Sequence, residues 1–92
     1  MGYINIQKEH TLKIIVSKHA VDRYIERKGG MTINQSFSMI MNAVQPQRHQ
    51  IKDGLKILKD IRVQIDDKFV GIVVKDGDIY MVVTVREIKR KG

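Results

Sequence analysis

Residues 17–27 read SKHAVDRYIER, and within them His19, Arg23 and Arg27 recur at four-residue intervals. On a helix that spacing lines the three up along one flank, about 12 Å from first to last at a rise of 1.5 Å per residue. The residue types suit phosphate chemistry. An imidazole titrates near neutral pH and can accept or deliver a proton. A guanidinium grips phosphate oxygens in pairs and stabilises the charge that builds in a phosphoryl-transfer transition state. A helix start adds a positive dipole end and free N–H groups, both favourable to an anion. Cleavage of RNA by its own 2′-OH needs a base, charge stabilisation and in-line geometry, so one short helix holds the parts for chemistry without a metal. Thr84 and Arg86, near the end of the chain, complete such a site if their side of the last strand opens toward this helix.

A plain structural reading competes with each of these. Histidine at a helix start also serves as a cap or a packing residue. Arg23 and Glu26, three apart, make a surface ion pair worth under about 0.5 kcal/mol. Asp22 and Glu26 are like charges four apart, which marks a solvated side. Metal ligation draws no support, because His19 and Asp22 form a lone pair with no second ligand cluster. The absence of cysteine excludes disulfides and thiolate metal sites and fits a reducing cytosol. Asp66 and Asp67, and Asp76 and Asp78, read as turn residues. His10 and His49 stand in weakly patterned segments and carry no assignment. No glycine-rich phosphate loop, nucleophile elbow or dinucleotide fingerprint occurs, and no cofactor is expected.

These side chains need elements to hold them. Residues 12–16, LKIIV, are apolar and rich in β-branched residues, which predicts a strand. Residues 1–10 are a loose lead-in or a first edge strand. Ser17 is a good N-cap for the helix that follows, with Ala20, Val21, Tyr24 and Ile25 as its inward stripe and Gly29 and Gly30 at its end. Thr32 with Gln35 predicts a capping box for a second helix. Ile33, Phe37, Ile40, Met41 and Val44 form its apolar stripe, and Pro46 marks its end. Beyond residue 60 the period changes to two. Ile61, Val63 and Ile65 alternate with polar residues, residues 69–74 are nearly all apolar with Gly71 as a candidate bulge, and Asp76 and Gly77 signal a tight hairpin into a last strand over 79–86. Strict alternation there puts Ile79, Met81, Val83 and Val85 on one side and Tyr80, Val82, Thr84 and Arg86 on the other. The expected fold is α+β: a short N-terminal strand, two helices, then a three- to four-stranded antiparallel sheet with helices on one face and polar, basic side chains on the other. One domain over 1–92 is expected, with its core at about 12–88.

Seventeen Lys and Arg against ten Asp and Glu give a net charge of +7, which favours a polyanionic partner, nucleic acid or an acidic protein. No apolar run approaches the ~18 residues of a membrane span, the start lacks the apolar stretch of a signal peptide, and Ile6 stands where a myristoylation motif takes Ser or Thr. A membrane partner is not expected. Five methionines are many for this length. Met31, Met39, Met41 and Met81 suit an irregular small core. Met39, off the main stripe of its helix, also suits an adaptable interface, whether with a second copy or with an inhibitory partner docked on helix two.

The helix start SKHAVDRYIER resembles the H-A-x-x-R-x-x-E-R start found in small bacterial and phage proteins with a fold like the BrnT-type and RelE-type ribonuclease toxins. His19, Ala20, Arg23, Glu26 and Arg27 carry the likeness. A preceding short strand, a second helix after a glycine and the late strand VVTVRE extend it over residues 12–88. The resemblance implies a cytoplasmic, metal-independent endoribonuclease held in check by an acidic, antitoxin-like protein. His19 and Arg23 then lead the site, with Arg27 next and Glu26 orienting an arginine. RelE-type toxins carry further Arg and Lys on the sheet and near the C-terminus; this chain departs from that pattern, with Arg62, Arg86, Lys89 and Arg90 as candidate counterparts that spacing alone does not align. Tyr80 can stack on a base or cover the sheet. Three functions stay open: a toxin-like endoribonuclease acting on RNA rather than DNA, a nucleic-acid-binding regulatory module without turnover, and a phage-type interaction or inhibitor protein.

Overall fold

Ser17 closes the first strand and opens the first helix. Its side chain accepts a hydrogen bond from the Ala20 N–H (3.0 Å) and donates one to the Val83 carbonyl (3.0 Å), while its own N–H reaches the Val82 carbonyl (3.0 Å). One residue thus caps a helix and ties it to the last strand. Ser17→Ala removes both side-chain bonds and is expected to cost about 1–2 kcal/mol, read as a lower midpoint in urea with an unchanged slope.

The computed structural model describes residues 13–89. In chain order it holds β1 (Lys13–Val16), α1 (Lys18–Lys28), α2 (Ile33–Val44), a 3-10 turn (Gln45–Gln47), α3 (Arg48–Gly54), β2 (Asp60–Gln64), β3 (Phe69–Asp76) and β4 (Ile79–Glu87). The fold is α+β, with one four-stranded sheet in the order β1-β4-β3-β2. Residues 1–10, Leu12 and Arg90 lie outside the described residues.

The sheet is mixed, not wholly antiparallel. β2, β3 and β4 form an antiparallel meander, and β1 joins its far edge parallel to β4. The expected Asp-Gly hairpin forms between β3 and β4, with Gly77 and Asp78 as its two loop residues. Gly77 has φ 61 and Asp78 a negative φ, the type II′ pattern with glycine first.

A third helix, α3, was not expected. Pro46 marks the end of α2, which stops at Val44, but it does not end the helical path. It sits in the first turn of the 3-10 segment, where a missing N–H leaves nothing unpaired, and the chain continues into α3. The inward stripe of α2 also differs from expectation. Its capping box forms as predicted, but Ser36, Ile40 and Val44 are the buried row. Ile33 is 63% and Phe37 44% exposed. The buried Ser36 hydroxyl donates to the Val21 carbonyl (3.1 Å) and sets the roll of α2 on α1.

The helices cover one face of the sheet. There Ile14, Val63, Val73, Tyr80, Val82 and Val85 join Ala20, Tyr24, Ile40 and Ile51 in the core. Gly71 is not the bulge. It lies on this inner face, where a Cβ would sit 3.1 Å from Val82 and 3.3 Å from Ile65. The bulge is on β4: Ile72 pairs with Thr84 and Val73 with Val82, leaving Val83 as the extra residue. The outer face is not the polar surface that alternation suggested. Ile15, Val70, Ile72, Val74 and Met81 lie half-buried across it.

Candidate functional site: two basic clusters joined at the end of β4

α1 presents the first cluster. Ala20, Val21 and Tyr24 face the core, which leaves His19 and Arg27 exposed and Arg23 half-buried on the solvent flank. Arg23 is the centre of the arrangement. Its Nε–H points at His19 Nε2 at 3.5 Å, the long limit of a hydrogen bond, and its Nη1 donates to Glu26 Oε1 at 3.3 Å. His19 Nε2 is therefore the ring nitrogen that faces the guanidinium. Glu26 orients Arg23 and is itself exposed, so the pair stabilises little by itself. Asp22 faces Lys18 at 3.8 Å on the other, fully solvated side.

Arg27 makes no hydrogen bond to His19 or Arg23 among the described residues. It borders a shallow cleft of about 350 Å3 that also includes Lys68 and Glu87. Lys68 was not singled out in the sequence. It lies in the β2–β3 turn, where no spacing rule marks it.

The second cluster is on the outer face of the sheet. The bulge at Val83 turns Thr84 and Arg86 away from Tyr80 and Val82, so they share a face with Arg62 and Met81. Arg62 from β2, Arg86 from β4 and Lys89 just beyond it line a cleft of about 410 Å3 floored by Val70 and Ile88. The ion pairs among the described residues leave Arg27, Arg62, Arg86 and Lys89 without a carboxylate partner. Glu87 lines both the Arg27 cleft and the Arg62 cleft, so the two meet around the end of β4. No hydrogen bond or ion pair joins Thr84 or Arg86 to His19 among the described residues. Tyr80 is not in either cluster. At 6% exposure its ring belongs to the core and offers no face for a base.

Behind α1 stands a network that sequence reasoning did not find. The Tyr24 hydroxyl donates to Asp66 Oδ2 (2.7 Å) and Lys28 Nζ to the same oxygen (2.9 Å). The other oxygen, Oδ1, accepts from the Lys68 and Phe69 N–H groups (2.7 and 2.9 Å). The turn reading of Asp66 is correct for Oδ1, while Oδ2 fixes the middle and end of α1. Burial alone would push the Asp66 carboxyl up, but the bonds from Tyr24, Lys28 and the Lys68 backbone outweigh it and hold the pKa at about 2. Burial first, then the bond to Asp66, pushes the Tyr24 hydroxyl to about 12. The bond to Asp66 also raises the Lys28 ammonium. The Tyr24 ring meets Phe69 edge-on at 5.5 Å, which anchors the helix to the start of β3.

Among the described residues no group of three or more His, Asp or Glu side chains is placed to hold a metal ion, and no helix is long and apolar enough to cross a membrane. The chain matches no protein-family model, and a comparison with curated proteins finds no match.

Proposed function

We propose that this protein binds RNA and cleaves it without a metal, in the manner of the BrnT-type and RelE-type toxins that its first helix resembles, and that it works in the cytoplasm. The observation that carries the reading is the contact between Arg23 Nε and His19 Nε2, with Arg23 held by Glu26, on the open flank of a chain of net charge +7. In this mechanism Arg23 turns from His19 Nε2 to the phosphate when RNA binds, and the freed Nε2 takes the proton of a ribose 2′-OH as that oxygen attacks the adjacent phosphorus. The O2′–P bond forms and the P–O5′ bond breaks. The leaving 5′ oxygen picks up a proton from the imidazolium or from water, and a 2′,3′-cyclic phosphate remains. Arg23 supplies the charge that the phosphorane needs at the moment of transfer. Arg27 and Lys68 then hold the next phosphate along the helix. An acidic antitoxin-like protein would compete for the same cations.

The test is cleavage of end-labelled single-stranded RNA in EDTA by wild type and His19→Ala, purified identically. Cutting by wild type alone supports the proposal. Equal cutting by both assigns the activity to a contaminant or another site and defeats it. A second reading, a binding module without turnover, is favoured by the cleft of Arg62, Arg86 and Lys89, whose lining holds no histidine. In either reading the double variant Arg62→Ala/Arg86→Ala is expected to flatten the salt dependence of RNA binding. The slope of log K against log salt drops by about 1.4, from ~0.7 per phosphate contact on single strands. An unchanged slope, measured by fluorescence anisotropy, removes this cleft from the RNA path.

A further inference from the structure

Residues 29–47 contain no Asp, Glu, Lys, Arg or His, in a chain whose charged fraction is 29%. That stretch includes all of α2, and α2 is not a buried helix. Asn34, Ser38 and Asn42 form an exposed row at four-residue spacing, flanked by Phe37 on one side and Met39 on the other. Phe37 is 44% and Met39 38% exposed. A shallow groove of about 540 Å3 takes in the row, Met31, Met39, the two glycines that follow α1 and Lys28, whose ammonium is paired with Asp66. An exposed helix face with short polar residues along its centre, large apolar ones on both flanks and no charge has the composition of an interface. It does not have that of a solvated face in a basic protein.

We propose that α2 is a dimerisation helix, packed against α2 of a second copy about a two-fold axis at Ser38. The electrostatics select a second copy as the occupant. Two chains of +7 repel each other, so a surface that joins them must be free of unpaired cations. Other uncovered apolar surfaces among the described residues carry cations: Lys13, Arg62 and Arg86 lie on the outer face of the sheet, and exposed Ile57 and Leu58 stand between Lys56 and Lys59. Self-pairing there sets like charges against each other, which leaves α2 as the neutral choice. The row itself is self-complementary. About a two-fold axis at Ser38, Asn34 of one copy meets Asn42 of the other, and an amide both donates and accepts. Short side chains at i, i+4 and i+8 let the helices approach along their i±4 ridges, the commonest mode of helix packing. The apolar flanks then close over Phe37 and Met39. This proposal does not depend on RNA cleavage.

Sedimentation equilibrium on the full chain tests it, over roughly 1 μM to 0.5 mM, the regime of small interfaces. Wild type is expected to reach about 21 kDa, twice the chain mass of 10.6 kDa. Its association should tighten between about 0.05 M and 0.5 M salt as screening removes the repulsion of the basic surfaces. Ser38→Lys sets two cations face to face at the axis and is expected to weaken association at least tenfold. Ser38 is exposed on a helix that Lys favours, and Asn34→Lys is a second variant with the same expected effect. Circular dichroism matching wild type shows that each has folded. A wild type that stays at the monomer mass at both salt concentrations overturns the proposal and leaves this face to a different protein. A dimer that loosens as salt rises, or that both variants leave intact, overturns it as well, because the contact then lies elsewhere.

Discussion

Asp66→Ala is expected to lower the unfolding free energy by about 3–5 kcal/mol, a fall in Tm of some 15–30 °C for a chain of this size. Tyr24 is 0% exposed, so its hydroxyl cannot turn to water once its acceptor is gone. That orphaned donor alone costs about 1–3 kcal/mol, and the Lys68 and Phe69 N–H groups lose their acceptor as well. Lys28 adds little, since its ammonium can return to solvent. Tyr24→Phe removes the donor and its need together and is expected to cost much less, about 1 kcal/mol. The pH dependence separates the partners. The folded Asp66 pKa, about 2, lies below its ordinary 3.8. Its contribution is therefore complete above about pH 5 and is lost as pH falls through 4 toward 2, for about 2 kcal/mol in all. The folded Tyr24 pKa, about 12, lies above its ordinary 10, so its contribution holds below pH 10 and is lost from pH 10 to 12. Asp66→Asn should erase the acid part and Tyr24→Phe the alkaline part. Urea melts at pH 2.5, 7 and 10.5 check both, and an Asp66→Asn curve parallel to wild type across the acid range would refute the assignment.

Local signals read well in this chain and long-range ones did not. The first helix was legible because a cap, an apolar stripe and a glycine stop occupy one short stretch. The β3–β4 hairpin was legible because its turn residue is a neighbour of both strands. The face of Thr84 and Arg86 was not. One extra residue at Val83 reverses every side chain after it, and what meets that residue is the Ser17 hydroxyl, 66 positions earlier. The roll of α2 turned on a single buried hydroxyl, Ser36, that no hydrophobic period reports. Asp66 was seen as a turn residue because its turn is local, while its bond to Tyr24 spans 42 positions. Site residues followed the same rule. The His19, Arg23 and Glu26 arrangement lies on one helix and was visible in the spacing. The joining of Arg27 and Lys68 to Arg62, Arg86 and Lys89 around the end of β4 depends on sheet order and on the bulge, neither of which is written in any one segment.

His19→Ala is expected to slow RNA cleavage by about 10²–10⁴, the usual worth of a general base or acid, and Arg23→Ala by about 10²–10³ through loss of transition-state charge stabilisation. The informative quantity is how the two combine. Arg23 reaches both the imidazole and, in the mechanism, the reacting phosphate, so the residues work as a unit. The double variant should then be no more than about tenfold slower than the worse single variant, far short of the product of the two losses. Arg23→Lys should fall between wild type and Arg23→Ala, since it keeps the charge but loses the paired grip on phosphate oxygens. Arg27→Ala, two turns from the imidazole, should raise the RNA concentration needed for half-maximal rate more than it lowers the maximal rate. All these side chains sit on the solvent flank, and their stabilities should stay within about 0.5 kcal/mol of wild type. Single-turnover cleavage in EDTA across the set gives the answer. If the losses for His19 and Arg23 multiply, the residues act separately and the contact between them is incidental. If each cation instead removes a similar, salt-dependent share of affinity and no variant changes a rate, α1 holds phosphates without breaking them, and its histidine is only the first residue of a basic flank.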